Sequence, residues 1–260
     1  MAELPDRFLD RAARKRAERY WARAARLAEG LAPEALRGLR GRARALSRDL
    51  DRVLHVAEGR LAQPLAGAPI EAPLGTDWTW RPEIWSGPLR PHGLAPAAAR
   101  ANFGAELTVF HDCPLGEISL RQTRNTRAEH VAPYGLRLDV LRFGGSFLSL
   151  VLDLPEAAVQ GLRLRHVVRL AGVIEAERPV EIYARLNVRH GPNTEQIVRG
   201  LPAGPGKGTG PVAAEFDLAY TKMNEKRVDR AWLDLIVDGP ACNEIVFRDL
   251  TLGRRPRSDL

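Results

Sequence analysis

The sequence predicts a mainly β protein, an antiparallel β-sandwich of jelly-roll type preceded by an N-terminal α-helical hairpin. Three observations carry that expectation: a helical apolar period confined to Pro5–Gln63, a period of two from Gly104 onward, and short strand-like runs with no long helical pattern between them. The chain accordingly reads as three pieces, a basic helical hairpin over 1–63, a Pro- and Trp-rich wrapping connector over 64–103, and a β-sandwich over 104–260.

The helical piece is broken once, at Glu29-Gly30-Leu31-Ala32-Pro33, where Gly and Pro supply a stop and a new first turn. In its second half Leu36, Leu39, Ala43, Leu46, Leu50, Val53 and Ala57 are spaced alternately three and four apart, the a/d seam of a coiled coil. Such a seam must pack on something. The stripe Phe8, Leu9, Ala12, Tyr20, Trp21, Ala24, Leu27 and Ala28 of the first helix is the expected partner in an antiparallel pair.

The connector contains Pro64, Pro69, Pro73, Pro82, Pro88, Pro91 and Pro96 and keeps neither period. It also holds Trp78, Trp80 and Trp85 in the stretch TDWTWRPEIWSGP. Trp78 and Trp80 alternate and share a face, as a sugar-stacking platform would require. A proline-rich segment crossing a sheet also needs anchors, however, and a buried Trp contributes on the order of 3 kcal/mol by area. Anchoring is the expectation.

In the third piece Val180, Ile182, Ala184, Leu186 and Val188 alternate with Glu181, Tyr183, Arg185 and Asn187, which places the first set toward the interior. Similar alternation marks Glu117–Thr123, Leu136–Phe143, Val212–Tyr220 and Ala231–Asp238, and Ser146–Leu154 is more continuously apolar. Only Pro155–Leu162 and Thr221–Val228 read as single helical turns. Short strands with short connections make an antiparallel two-layer sheet rather than a doubly wound one.

The net charge is +7, but residues 1–62 hold 15 Lys and Arg against 9 Asp and Glu, so +6 of it belongs to the helices. Arg37, Arg40, Arg44 and Arg48 form one stripe beside the apolar seam, either a solvated face or a docking surface for an acidic partner or an anionic membrane. Nucleic acid is disfavoured, because no exposed aromatics interleave with the arginines and no known reading module is present. Two cysteines, Cys113 and Cys242, and no apolar N-terminal signal segment lead to a cytoplasmic expectation, peripheral to a membrane at most. The Arg and Ala bias suits a GC-rich bacterial genome.

The runs AWLDLIVDGPACNEIVFRDLTLGRRPR, FDLAYTKMNEKRVDRAWLDL, ARLNVRHGPNTEQIV, GTDWTWRPEIWSGPL and FHDCPLGEISLRQTRN resemble an alphaproteobacterial family carrying a domain-of-unknown-function label, over most of the chain. That resemblance implies no activity and no site residues. The closing runs Trp232–Asp238 and Ile245–Leu252, joined by a Gly-Pro and Asn turn, are similar to the ends of jelly rolls of the galactose-binding and carbohydrate-module kind, a likeness of fold alone.

No stretch specifies a reaction. GPGKGTGP at 204–211 has Leu201 and Gly208 where a phosphate loop needs Gly and Ser or Thr, and a strand pattern follows it, so it reads as a hairpin loop. His111-Asp112-Cys113 looks catalytic but has no accompanying ligand set, and reads as a strand end with a capped turn. No CxxC or GxSxG occurs, and no metal or cofactor is implied. Glu181, Glu195, Asp217 and Asp234 are candidate carboxylates for a carbohydrate-active enzyme, none of them in an acid-base motif. The turn after Val188 gathers Arg189, His190, Asn193, Glu195 and Gln196, donors and acceptors suited to a hydroxyl-rich ligand, though such residues also serve turns for local reasons. The expectation is a non-enzymatic binding protein for a glycan or a partner protein, with the helices as an assembly or docking element that includes homo-oligomers. The alternatives are a carbohydrate-active enzyme with a hidden carboxylate pair and a peripheral anionic-membrane protein.

Overall fold

In the computed structural model, which describes residues 7–61, 70–127, 129–201 and 210–257, the chain opens with α1 (Arg7–Leu27), a 3-10 turn (Ala28–Gly30) and α2 (Pro33–Leu61). Ala, Arg, Leu and Glu are strong helix formers, Gly30 ends the first run, and Pro33 takes the first helical position of the second, where its missing N–H costs nothing. The chain divides into two compact units, Met1–Val53 and Leu54–Leu260, so the division falls inside α2.

Within the first unit no residue from Arg11 to Val53 is buried. Leu36, Leu39, Ala43 and Leu46 are half-exposed, while Leu50 is 54% and Val53 64% exposed. The a/d seam is therefore left uncovered by the stripe expected to accept it. Ala12, Ala24 and Ala28 offer little area, and the two bulkiest rings, Tyr20 and Trp21, pack edge-to-face on each other at 5.2 Å. The side chains of Phe8 and Leu9 lie outside the described part.

In the second unit, the last turns of α2 pack on the connector. His55 is buried and its Nδ1 lies 3.1 Å from the Pro88 carbonyl oxygen. Gly59 is required there: a Cβ would run into the Ser86 carbonyl and come within 3.2 Å of Gly87 Cα. Then follow β1 (Trp78–Trp80), α3 (Glu83–Ser86), β2 (Gly93–Leu94), β3 (Arg100–Phe103), β4 (Leu107–His111), β5 (Ile118–Arg124), β6 (Tyr134–Val140), β7 (Leu148–Asp153), α4 (Glu156–Val159), β8 (His166–Ala176), β9 (Glu181–His190), β10 (Asn193–Leu201), β11 (Gly210–Asp217), β12 (Val228–Asp238) and β13 (Asn243–Pro256).

Among the described residues these strands form two antiparallel sheets. One has the order β11-β8-β13-β6-β5-β2, with β1 added beside β13, and the other the order β10-β9-β12-β7-β4-β3. Leu136, Leu138, Leu148, Leu150, Leu152, Leu233, Leu235 and Phe247 are fully buried between them. Truncating any of these leucines to Ala costs about 2–5 kcal/mol. Val180, Ile182, Ala184, Leu186 and Val188 are buried as expected. Asn187, on the opposite face, is buried as well, because its neighbours on that face cover it with hydrogen bonds described below. The run Val212–Tyr220 is a strand only to Asp217, whose side chain accepts from Ala219 N and turns Leu218–Tyr220 into a 3-10 helix. The Gly-rich stretch at 204–211 lies outside the described residues except for Gly210 and Pro211, which begin β11.

The connector does more than wrap. Its described part supplies β1, β2 and β3, and both sheets use it. Trp85 is fully buried, and its Nε1 donates to the Phe247 carbonyl at 2.8 Å. That carbonyl sits at a bulge in β13, between Phe247 and Asp249. Arg81 meets Asp249 in a two-pronged pair at 2.9 and 3.0 Å, and Gln122 of β5 holds Ile84 O, Gly87 O and Leu89 N at 2.7–2.8 Å. Trp78 and Trp80 are half-buried against the core, stacked at 6.4 Å. The three tryptophans anchor the segment; Pro64 and Pro69 lie outside the described residues.

Candidate functional site

The outer face of the β10-β9-β12-β7-β4-β3 sheet carries a groove of about 610 Å³, lined by side chains of β3, β4, β7, β9 and β12 and by Phe147. Strand register orders this face of the sheet in rows, of which the groove takes a part. One row crosses Gln196, Asn187, Trp232 and Asp153; the next crosses Val198, Arg185, Asp234, Val151, Thr108 and Asn102; a third crosses Gly200, Tyr183, Ile236, Ser149, Phe110 and Arg100. Alternation puts all of these on one side because their neighbours, such as Leu233, Leu235, Leu150 and Val109, fill the core.

The Trp232 end is internally satisfied. The Arg230 guanidinium lies 5.1 Å from the Trp232 ring centroid and pairs with Asp153, Nε donating at 3.1 Å. Asp234, 2% exposed, accepts from Arg185 at 2.6 and 2.7 Å and from Asn187 Nδ2 at 3.1 Å, and Gln196 Nε2 donates in turn to Asn187 Oδ1 at 2.9 Å. A buried carboxylate is tolerated only with such partners.

The Phe110 end differs. The Arg100 guanidinium carbon lies over the Phe110 ring, 5.5 Å from its centroid, and the side chain has no acidic partner among the described residues. Ser149, opposite Phe110 on β7, is buried, and its Oγ has no hydrogen-bond partner among the described residues. Phe147, 45% exposed, stands at the rim. Its loop is pinned by Asp112, whose Oδ1 accepts Ser146 N at 2.7 Å and Phe147 N at 3.2 Å and whose Oδ2 accepts Ser146 Oγ at 2.6 Å. The Ser146 hydroxyl above all holds the Asp112 carboxyl below the usual carboxylate range. Gly145 makes that approach possible, since a Cβ would meet the Asp112 carboxylate and lie 2.8 Å from Cys113 N. The His111-Asp112-Cys113 triplet is thus a strand end with a capped turn: His111 spends Nδ1 on Cys113 N and Nε2 on Ala97 O, both at 3.2 Å.

Of the five residues expected at the β9–β10 turn, Arg189 and Gln196 share the groove's face, Asn193 sits at the turn, and His190 and Glu195 point to the other face. None of them lines the groove. Arg189 Nε donates to Asp229 at 2.8 Å, which holds that carboxyl below its ordinary range. His190 is buried, with Nδ1 accepting from Asn224 N at 3.3 Å and Nε2 3.7 Å from Glu195. Arg37, Arg40, Arg44 and Arg48 are exposed on α2. Of the candidate carboxylates only Asp234 is in the groove. Sequence reasoning passed over Arg100, Phe110, Asp153, Arg230 and Trp232; the signal for Trp232 was an outward ring in the strand AWLDLIVD, whose other face is wholly apolar.

Among the described residues no group of three or more His, Cys, Asp and Glu is placed to hold a metal, and no helix is long and apolar enough to cross a membrane. No curated protein matches the sequence. Solved structures that it resembles include the enzymatically active domain of tailspike protein 4 from bacteriophage CBA120 (TM-score 0.42, 9% identity, 61% of this chain and 21% of that one). They include also the C-terminal family 22 carbohydrate-binding module of Clostridium thermocellum Xyn10B (0.39, 6%, 73% and 99%) and the family 11 module of the C. thermocellum cellulase Lic26A-Cel5E (0.38, 10%, 57% and 88%). This chain spans about a fifth of the tailspike chain, and likenesses below a TM-score of 0.5 assign nothing to it. Its match over residues 1–260 does identify its kin: the chain belongs to DUF6478, a family of unknown function.

Proposed function

We propose that the protein is a glycan-binding module whose site is the groove on the β10-β9-β12-β7-β4-β3 sheet. One observation carries the reading: an open sheet face that holds Trp232 and Phe110 among fixed guanidinium, carboxylate and hydroxyl groups. Sugar rings present apolar C–H faces and hydroxyl edges, and they need flat aromatic surface flanked by paired donors and acceptors. Two strands and four residues separate Trp232 from Phe110, about 16 Å at ordinary strand spacing. That span suits an oligosaccharide rather than a single sugar. An array of neutral and acidic oligosaccharides, probed with the intact chain and with Trp232→Ala, tests it. At least one saccharide class is expected to be retained by the wild type and lost by the variant; retention of none by the wild type would sink the proposal.

A hydrolytic reading of the same face has one observation behind it. Asp153 and Asp234 are diagonal neighbours on adjacent strands, about 7–8 Å apart at the backbone, which puts two carboxylates, the pair that glycoside hydrolysis uses, on one face. Both stand side by side on the floor, however, where a glycosidase flanks the bond from two sides. New reducing ends from a retained oligosaccharide, abolished in Asp234→Asn, would establish the enzyme reading instead.

The α1–α2 unit fits an assembly or docking element, because its a/d seam and arginine stripe are both exposed. Light scattering and anionic-liposome sedimentation of the intact chain, beside Leu50→Gln/Val53→Gln and Arg37→Gln/Arg40→Gln/Arg44→Gln/Arg48→Gln variants, distinguish self-association from lipid binding. A monomer that ignores liposomes would end this reading.

A further inference from the structure

The two ends of the groove differ in one chemical respect. At the Trp232 end each arginine has an acidic partner, Arg230 with Asp153 and Arg185 with Asp234, and Asn187 and Gln196 close the network. At the Phe110 end two donors lack acceptors among the described residues: the Arg100 guanidinium, held over the Phe110 ring, and the buried Ser149 hydroxyl in the floor beside it. Across the lining the three arginines exceed the two aspartates by one charge, and that excess belongs to Arg100.

We infer that the groove selects an acidic oligosaccharide, with a sugar carboxylate received by Arg100 beside Phe110 and Ser149. The inference rests on the glycan reading above. A guanidinium presents a planar fork that matches a carboxylate in two parallel hydrogen bonds, and its place over the Phe110 ring holds it at this end of the groove. The Ser149 hydroxyl, having no acceptor among the described residues, donates to an oxygen of the same sugar. A neutral sugar would leave the excess charge unmet. An acidic one balances it without disturbing the ion pairs at the other end.

The test uses the intact chain and uronic-acid tri- and tetrasaccharides, each beside its methyl ester, which keeps the sugar's shape and removes the charge. The acids are expected to bind at least tenfold more tightly than their esters, and Arg100→Gln should remove about that factor for the acids alone. Arg100 is exposed, so the variant is expected to melt with the wild type. The basic helices also attract anions, so Arg37→Gln/Arg40→Gln/Arg44→Gln/Arg48→Gln is measured alongside and should leave the affinity unchanged. Acids and esters bound alike, or neutral glycans alone bound, would overturn the inference and leave the glycan reading standing. Acids bound equally by the wild type and Arg100→Gln would overturn it too. No saccharide bound at all would end both.

Discussion

The connector and the groove are built from the same materials, tryptophan beside arginine and aspartate, and put them to opposite uses. Trp85 of α3 and Arg81 just after β1 face inward against the bulge of β13, where Phe247 O and Asp249 meet their polar atoms. Trp232 and Arg230 stand on β12 in the other sheet, just past a register shift at Val228–Arg230, with the ring half-buried and facing the groove. An anchor and a platform are therefore not told apart by composition. What separates them is whether the chain itself covers the ring and meets its polar atoms.

The sharpest way to break that contrast is to truncate one ring from each region. Trp85→Ala removes a fully buried indole and its hydrogen bond and should cost about 3–5 kcal/mol, read as a large fall in the denaturant midpoint. Trp232→Ala should cost under about 1 kcal/mol while abolishing glycan retention. Equal stability losses would erase the distinction. Trp80→Ala, half-buried in the stacked pair, should fall between them, at about 2 kcal/mol. Gly145→Ala is expected to push the Gly144–Phe147 loop off Asp112, weakening glycan binding several-fold with a change of about 1–2 kcal/mol in stability; unchanged binding would remove Phe147 from the site.

The smallest effect expected is one of pH. Burial foremost, and then Arg254, pushes His166 below the ordinary imidazole range, and burial with Arg248 does the same to His130. The folded chain keeps both rings neutral at a pH where the unfolded chain, with values near 6.5, takes up protons. Stability should therefore decline as pH falls from about 7.5 to 5.5, and His166→Gln should flatten the slope. A denaturant midpoint that rises over that window would contradict the account.

The alternation in β9 was legible because Ile182, Ala184, Leu186 and Val188 make one face apolar, and the anchoring of Trp78, Trp80 and Trp85 was legible because a segment so rich in proline needs bulky anchors; the share taken by Arg81 with Asp249 and by Gln122 was not. The bulge at Phe247–Asp249 in β13 was not legible, because it depends on partners far away in sequence; the break in β11 is local, Asp217 accepting from the amide of Ala219, and was masked by the alternation that runs on to Leu218 and Tyr220. The groove was hidden for the same reason as the bulge. Arg100, Phe110, Ser149, Asp153 and Trp232 lie on four different strands, and only cross-strand register brings them to one face. The polar cluster after Val188 stood out as a continuous run, yet the alternation of β9 and β10 on either side of the Gly191-Pro192 turn sends its members to opposite faces.

The central claim is that Trp232 belongs to a glycan platform, and its most direct test is oligosaccharide-array binding by the intact wild-type chain beside a Trp232→Ala variant of matched melting temperature. The account predicts that the wild type retains at least one saccharide class and that the variant loses it by at least tenfold. Retention by neither protein, or by both equally, would contradict it.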